Sequence, residues 1–300
     1  MAGPEHTPGP GKVSVRSAIM ELTRQLTAAG IEEAGRDARR LVAAALGATA
    51  EDVLRTPERE LGPGEAQLLE SYLGRRRVRE PVSRIVGERE FFGRTFAVSP
   101  ATLDPRPDTE TVVAAALEVI RDEGWASRPL RILDVGTGSG CILLTLLCEL
   151  PQATGLGTDI SEAALAIAQR NASRLGVEER AAWQVADALE TVSGPFHMLV
   201  ANPPYVRTED IGGLEPEVRN FDPMSALDGG TDGLAIYRRL MERIPATVPA
   251  GWVLLEVGHD QADAVADLLV SEIPTVHANG IRVWRDVAGI RRCVAARTRG

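Results

Sequence analysis

Asn202-Pro203-Pro204-Tyr205 is the stretch of this chain whose residue types could do chemistry on a planar nitrogen. It follows the apolar run Met198-Leu199-Val200-Ala201, which reads as a short strand. The loop therefore falls at the carboxyl end of a strand, where open α/β sheets place their ligands. Two prolines remove backbone donors and stiffen the loop. The Pro203 carbonyl and the Asn202 side-chain oxygen are then two acceptors held close together. Such a pair suits the NH₂ of an amide or aryl amine, a poor nucleophile because its lone pair is delocalised. Hydrogen bonds from both N–H groups would hold the nitrogen and draw off the positive charge it gains when alkylated. Tyr205 can pack on the flat face of the substrate. Asn202, Pro203 and Tyr205 are thus the candidate catalytic residues, and Asn202, Pro203, Pro204 and Tyr205 the candidate substrate loop. No histidine lies in the loop, and His197 reads as a structural residue of the strand before it. Adenine N6 and glutamine N5 present similar NH₂ groups, so the loop alone does not choose between them.

A second constellation lies upstream. Ile132-Leu133-Asp134-Val135 is an apolar strand running into Gly136-Thr137-Gly138-Ser139-Gly140. Glycines permit the tight turn and let a ligand approach the backbone. The dinucleotide fingerprint would need its third glycine where Cys141 stands. The GxGxG spacing instead suits a cofactor without a pyrophosphate, and S-adenosyl-L-methionine is such a cofactor. Asp159 ends the next strand, where a carboxylate can accept hydrogen bonds from both ribose hydroxyls. Asp187 follows a further strand and can accept from an adenine amino group or serve as a helix cap. The expected cofactor-binding set is Gly136, Thr137, Gly138, Ser139, Gly140, Asp159, Asp187 and Asn202.

The elements that must position these residues alternate. Strands are expected over 130–135, 153–160, 183–186, 198–201 and 252–257, with helices over 139–150, 161–175, 232–244 and 261–270. Alternation of this kind implies a parallel sheet covered on both faces. Thr275 to Ala278 and Ile281 to Trp284 flank Asn279-Gly280, a tight-turn signal, and Arg292 to Ala296 reads as a further strand, so an antiparallel element should close the sheet. The expected fold is a Rossmann-like α/β domain.

Ahead of it, 13–82 reads as three amphipathic helices. Ser14 caps the first, Gly30 and Gly47 stop the first two, and Leu68, Leu69, Tyr72 and Leu73 mark the third. Arg84 to Gly87 and Phe91 to Val98 suggest a β-hairpin turning near Gly93, within a linker over 83–104. Asp108 should cap the helix that follows. Residues 1–12 hold Pro and Gly without an apolar core and read as a disordered tail rather than a signal peptide.

Bulk properties set limits. The chain has 300 residues and a net charge of -9, with a pI near 5.1. That balance argues against a protein that grips many phosphates, so no direct nucleic-acid binding is expected. Arg75-Arg76-Arg77 reads as a solvated helix end. No apolar run is long enough to span a membrane. Cys141, Cys148 and Cys293 form no CxxC pair, so no metal site is expected. Unpaired thiols fit a reducing cytoplasm, and a monomer is expected.

The residues resemble the peptide chain release factor N5-glutamine methyltransferases, the HemK/PrmC family, over nearly the full chain. The likeness rests on the helical N-terminal module, Phe91 to Val98, Pro105-Arg106-Pro107-Asp108-Thr109-Glu110, Gly136 to Gly140, Asp159 and Asn202 to Tyr205. It extends to Glu215-Pro216, to Ala226 through Leu234, to Glu256-Val257-Gly258 and to Asp286 through Arg291. The resemblance implies a class I methyltransferase domain over 105–300 that uses S-adenosyl-L-methionine, and an N-terminal module that helps dock the substrate. Its implied substrate is the glutamine of the Gly-Gly-Gln motif in class 1 release factors. The Pro105 to Glu110 segment is what sets it apart from enzymes that methylate a ribosomal-protein glutamine. The sequence departs from the family's usual pattern at Asp104, at Asp222-Pro223, and at Ala188, where an aromatic commonly packs on the adenine. The rival readings are an N6-adenine nucleic-acid methyltransferase and a non-catalytic binding module that kept the fold.

Overall fold

A computed structural model describes residues 13–299, so the expected tail over 1–12 lies outside the described residues. The chain forms two compact units that divide between Val86 and Gly87.

The first unit is helical. Its helices are α1 (Val15–Ala28), α2 (Ala34–Ala45), α3 (Ala50–Arg55), α4 (Pro63–Arg77) and α5 (Val82–Val86). Ser14 caps α1, its hydroxyl accepting from Ser17 N–H at 3.2 Å. Val15, Ala18, Leu22 and Leu26 recur at helical spacing and bury one face against Ala38, Leu41 and Val42 of α2. Two helices lie beyond the three read from the sequence. One is α3, held by a capping box between Thr49 and Asp52. The other is α5, where a strand was expected. The β-branched run Val82-Ser83-Arg84-Ile85-Val86 turns helical because Pro81 precedes it and because Val82 and Ile85 both enter the helical core. Leu68 is exposed rather than buried. The arginine run is also not a solvated end. Arg76 is buried and its Nε donates to Asp37 Oδ2 at 2.7 Å, while Arg75 pairs with Glu80. Arg77 alone of the three is exposed.

The second unit opens with the hairpin β1 (Glu88–Phe91) and β2 (Arg94–Ala97), turning through Phe92 and Gly93 at positive φ. Phe91 and Phe96 bury edge-to-face at 6.0 Å in the core of this unit. The chain continues through α6 (Glu110–Asp122), β3 (Arg131–Val135), α7 (Cys141–Glu149), β4 (Thr154–Asp159), α8 (Glu162–Leu175), β5 (Ala181–Val185) and β6 (Met198–Ala201). Then come α9 (Pro216–Arg219), α10 (Ala235–Met241), α11 (Ile244–Thr247), β7 (Gly251–Glu256), α12 (Ala262–Glu272), β8 (Ile281–Arg285) and β9 (Arg291–Thr298).

Seven strands form one sheet in the order β5-β4-β3-β6-β7-β9-β8. All neighbours from β5 to β7 are parallel, and β9 runs antiparallel between β7 and β8. The Rossmann-like reading therefore holds. One apolar cluster covers each face of the sheet. The order reverses at β3, whose neighbours β4 and β6 lead to opposite edges, and this switch point opens the crevice used below.

Two turns differ from their sequence reading. Asp108 does not cap α6; it lies in a 3-10 turn and pairs with Arg292 at 2.9 Å. Asn279-Gly280 ends a 3-10 turn and joins no two strands. The hairpin instead turns at 286–290, where Asp286 Oδ1 accepts from the N–H groups of Ala288 and Ile290.

Candidate active site

Strand register brings the chemistry-bearing residues side by side. Val135 pairs with Thr158 on one side and Ala201 on the other, and Ala201 pairs with Leu255. The next residue of each strand is therefore at one level: Asp159, Gly136, Asn202 and Glu256. The first three border a cavity of about 310 Å³ at the carboxyl ends of the strands, and Glu256 lies buried beside Asn202 without lining it.

The glycine loop floors this cavity. Gly136, Gly138 and Gly140 all have positive φ. Gly140 also leaves no room for a side chain, since a Cβ there would meet Leu144 at 2.9 Å. The buried Thr137 hydroxyl donates to Asp134 Oδ2 at 2.6 Å, beneath the loop. Burial pushes Asp134 up to about 7, against the opposing Thr137 bond. Asn171 of α8 clamps the loop from behind, with Nδ2 donating to Ser139 O at 2.8 Å and Ala97 O at 3.0 Å.

Asp159 faces the loop. Its Oδ2 accepts from Gly138 N–H and its Oδ1 from Ser161 N–H, each at 2.9 Å. Burial raises its pKa, and these backbone bonds oppose the rise. Each carboxylate oxygen keeps a further acceptor position. Beyond it, the exposed Ile160 forms one wall, with Ala188, Ile236 and Arg239 also lining the cavity. Asp187 lines it too, with Oδ2 paired to Arg239 at 2.9 Å. A carboxylate at ribose position, an apolar slot beyond it and a glycine floor suit an adenosyl group without phosphates. Of the expected cofactor set, Gly136, Thr137, Gly138, Ser139, Asp159, Asp187 and Asn202 border this one cavity, while Gly140 does not line it and turns the loop into α7.

Asn202, Pro203 and Pro204 line the far end, with Pro105, Arg106 and Thr109. Asn202 Nδ2 donates to the buried Thr109 Oγ1 at 3.2 Å, which leaves Oδ1 as the side chain's remaining acceptor. Tyr205 is placed differently from its neighbours. It is absent from the cavity wall, and its hydroxyl donates to Glu256 Oε1 at 3.3 Å. Burial raises the Tyr205 pKa, followed by the nearby Glu256 charge. Glu256 is itself fully buried and pushed up to about 7 by burial, against Thr109, Arg292 and Tyr205.

A second layer holds this loop in shape. Val206 N–H donates to Leu227 O at 2.9 Å and Gly229 N–H to Val206 O at 2.8 Å. Gln261 Nε2 donates to Tyr205 O at 3.0 Å. The Ala226 to Leu234 segment packs against it so tightly that a Cβ on Gly233 would come within 2.4 Å of Tyr205 O. Two of the noted departures also meet: Asp222 Oδ1 accepts from Asp104 N–H at 3.2 Å, and Asp222 Oδ2 takes Arg106 at 2.5 Å. Thr109, Asn171, Glu256, Gln261 and Arg239 were not singled out as site residues from sequence; only the family-like segments around Thr109 and Glu256 hinted at two of them.

Among the described residues, no cluster of His, Cys, Asp and Glu could hold a metal ion, and no helix is long and apolar enough to cross a membrane.

Fold and site together define a methyltransferase. The family model "Methyltransferase small domain" matches residues 115–213, and "PrmC N-terminal domain" matches 17–87. The solved catalytic domain of hMettl16, in complex with the MAT2A 3'UTR hairpin 6, superposes with a TM-score of 0.55 over 81% of this chain and 86% of that one; at 16% identity the likeness concerns the fold. A release factor glutamine methyltransferase of Rhodospirillum rubrum is 49% identical over 92% of this chain and 82% of its own length. One of Bradyrhizobium diazoefficiens is 44% identical over 95% of both. The chain belongs to the release factor glutamine methyltransferase family.

Proposed function

We propose that this chain methylates the side-chain amide nitrogen, N5, of the glutamine in the Gly-Gly-Gln motif of bacterial class 1 release factors, with S-adenosyl-L-methionine as the donor. When bound, that cofactor supplies an electrophilic methyl group on a sulfonium sulfur. Asp159 would take the ribose hydroxyls, Gly136 to Gly140 would lie under the methionine part, and Ile160 and Ala188 would flank the adenine.

The observation that carries this reading is the Asn202 amide. Its NH₂ is turned to Thr109 by one N–H bond, so Oδ1 on the other side of the amide is placed to accept from the substrate amide N–H. The Pro203 carbonyl is the second proposed acceptor. Together they would hold the nitrogen in line with the methyl group and spread its growing positive charge, with the N–H proton lost to solvent after transfer. No strong base is needed for that. Tyr205 would stiffen the loop through Glu256 rather than stack on substrate. The names of the relatives support a release factor as the substrate, and the acidic balance supports protein over nucleic acid. On this reading the enzyme acts in the cytoplasm as a monomer, and the N-terminal helical unit helps dock the release factor.

The test offers purified class 1 release factors, total RNA and DNA to the enzyme with methyl-labelled cofactor. Label is expected in the release factors and absent when the Gly-Gly-Gln glutamine is replaced. Label in nucleic acid and none in protein would overturn the reading.

A further inference from the structure

Two arginines line the cavity, at opposite ends. Arg106, beside Pro105 and Thr109, is taken by Asp222. Arg239 lies on α10, three residues after Ile236, so the two share a helix face and both border the slot beyond Asp159. That slot lacks a flat surface of the usual kind. Ile160 enters it 59% exposed, Ala188 offers a single methyl, and no aromatic ring lines the cavity among the described residues. The guanidinium of Arg239 is the flat cationic face that remains there.

Two carboxylates hold this face in place. Arg239 Nη2 donates to Asp187 Oδ2 at 2.9 Å and to Glu190 Oε1 at 2.8 Å. Both acids sit on the turn after β5, where Glu190 N–H donates to Asp187 O at 3.1 Å. The helix that carries Arg239 is itself anchored, since the buried Tyr237 O–H donates to Glu256 O at 2.6 Å. Guanidinium N–H groups lie in the plane of the group, so hydrogen bonds to them leave its faces uncovered. Such a face is weakly hydrated and stacks on aromatic rings. A half-exposed ion pair contributes little stability by itself, whereas a fixed flat cation bordering an apolar slot suits the face of a purine.

We propose that Arg239 is the adenine-stacking residue of the cofactor slot, and that Asp187 and Glu190 are positioning residues that hold its guanidinium against the ring. The inference rests on the cofactor reading above. It gives Asp187 a role other than the two open from sequence: the carboxylate acts on the adenine through Arg239 instead of accepting from its amino group or capping a helix.

The experiment uses the full chain and S-adenosyl-L-homocysteine, the demethylated cofactor, as the probe. Saturating probe should move the Arg239 side-chain Nε–H resonance upfield through the ring current of the adenine, a change that a purely structural ion pair would not show. Calorimetric titration of Arg239→Ala should give a Kd about 3- to 30-fold weaker than wild type. Arg239→Lys, which keeps the charge but not the flat face, should fall between the two. Asp187→Asn should weaken binding about twofold to fivefold in wild type and leave Arg239→Ala nearly unchanged, because its effect runs through the arginine. An Nε–H resonance unmoved by saturating probe, or a wild-type Kd in Arg239→Ala, would overturn the stacking role. An Asp187→Asn effect that persists in full in Arg239→Ala would overturn the positioning role. If Arg239→Ala fails to fold, the resonance titration of wild type decides. A wild type that does not bind the probe would count against the cofactor reading, while binding with Arg239 unmoved would count against Arg239 alone.

Discussion

Asn202 and Thr109 lie 93 positions apart in sequence, and their side chains meet at 3.2 Å. One belongs to the loop after β6 and the other to the Pro105 to Glu110 segment. That segment marks the substrate class by resemblance, and physically it sets the direction of the Asn202 amide. On the proposed function, the segment that marks the substrate and the residue that would hold the reacting nitrogen share this hydrogen bond. Phe92 N–H donates to Glu110 Oε1 at 2.8 Å, so the same segment is also moored to the hairpin.

Removing Asn202 should separate binding from turnover. Asn202→Ala deletes the proposed acceptor at the reacting nitrogen and leaves the strand intact. We expect kcat to fall about 100-fold or more, with the unfolding midpoint nearly unchanged. Thr109→Val keeps the volume but removes the acceptor for Nδ2, and should cost about tenfold in kcat, less than the loss of Asn202 itself. Steady-state kinetics with a release factor, alongside thermal melts, checks both. Near-normal turnover in Asn202→Ala would remove that residue from the mechanism.

Asp159 should act on cofactor affinity. Its carboxylate binds two backbone N–H groups of the site and has acceptor capacity left for ribose. Asp159→Ala should weaken S-adenosyl-L-methionine about 10- to 100-fold, or ~1.4–3 kcal/mol. Asp159→Asn retains an acceptor oxygen and should lose less. Calorimetric titration of the two variants gives the order, and an unchanged Kd in Asp159→Ala would exclude the ribose contact.

How far the site was legible follows from where each residue's partner sits. Gly136 to Gly140, Asp159 and Asn202 could be read because each ends a strand with a local signature of glycine, acid or proline. Thr109, Glu256 and Gln261 could not, because their partners come from other strands and loops through sheet register. The misread elements have local causes. Val82 to Val86 has the composition of a strand, but it buries Val82 and Ile85 in a helical core. Asn279-Gly280 has the composition of a hairpin turn, but β8 and β9 turn through the five-residue Asp286 loop over 286–290. Arg76 read as solvated because its partner Asp37 lies in another helix.

Gly233 should matter to the loop it touches. It has φ +74°, and a Cβ there would come within 2.4 Å of Tyr205 O and of Gln261 Nε2. Gly233→Ala must therefore displace either the Tyr205 backbone or Gln261, at about 1–3 kcal/mol in stability. The larger effect should be on kcat, since the loop that moves carries Asn202. Gly212→Ala, where a Cβ meets open space, is the control. Equal behaviour of the two variants would show that the Tyr205 loop yields without consequence.

Stability should decline with pH across the range in which Glu256 and Asp134 ionise. Burial raises Glu256 from 4.5 to about 7 and Asp134 from 3.8 to about 7, so the native state holds protons that the unfolded chain has released. Their contribution to stability is present below the unfolded pKa of each and is lost as pH rises through about 7. Glu256→Gln cannot ionise and escapes its share of that loss. The variant should therefore gain on wild type by about 2–3 kcal/mol between about pH 4 and about pH 8, with Asp134 leaving a residual slope of the same sign. Urea unfolding at both pH values measures the difference. A gap that is constant with pH would mean that the Glu256 carboxyl ionises alike in the folded and unfolded chain, and that its burial against Tyr205 and Thr109 does not govern its charge.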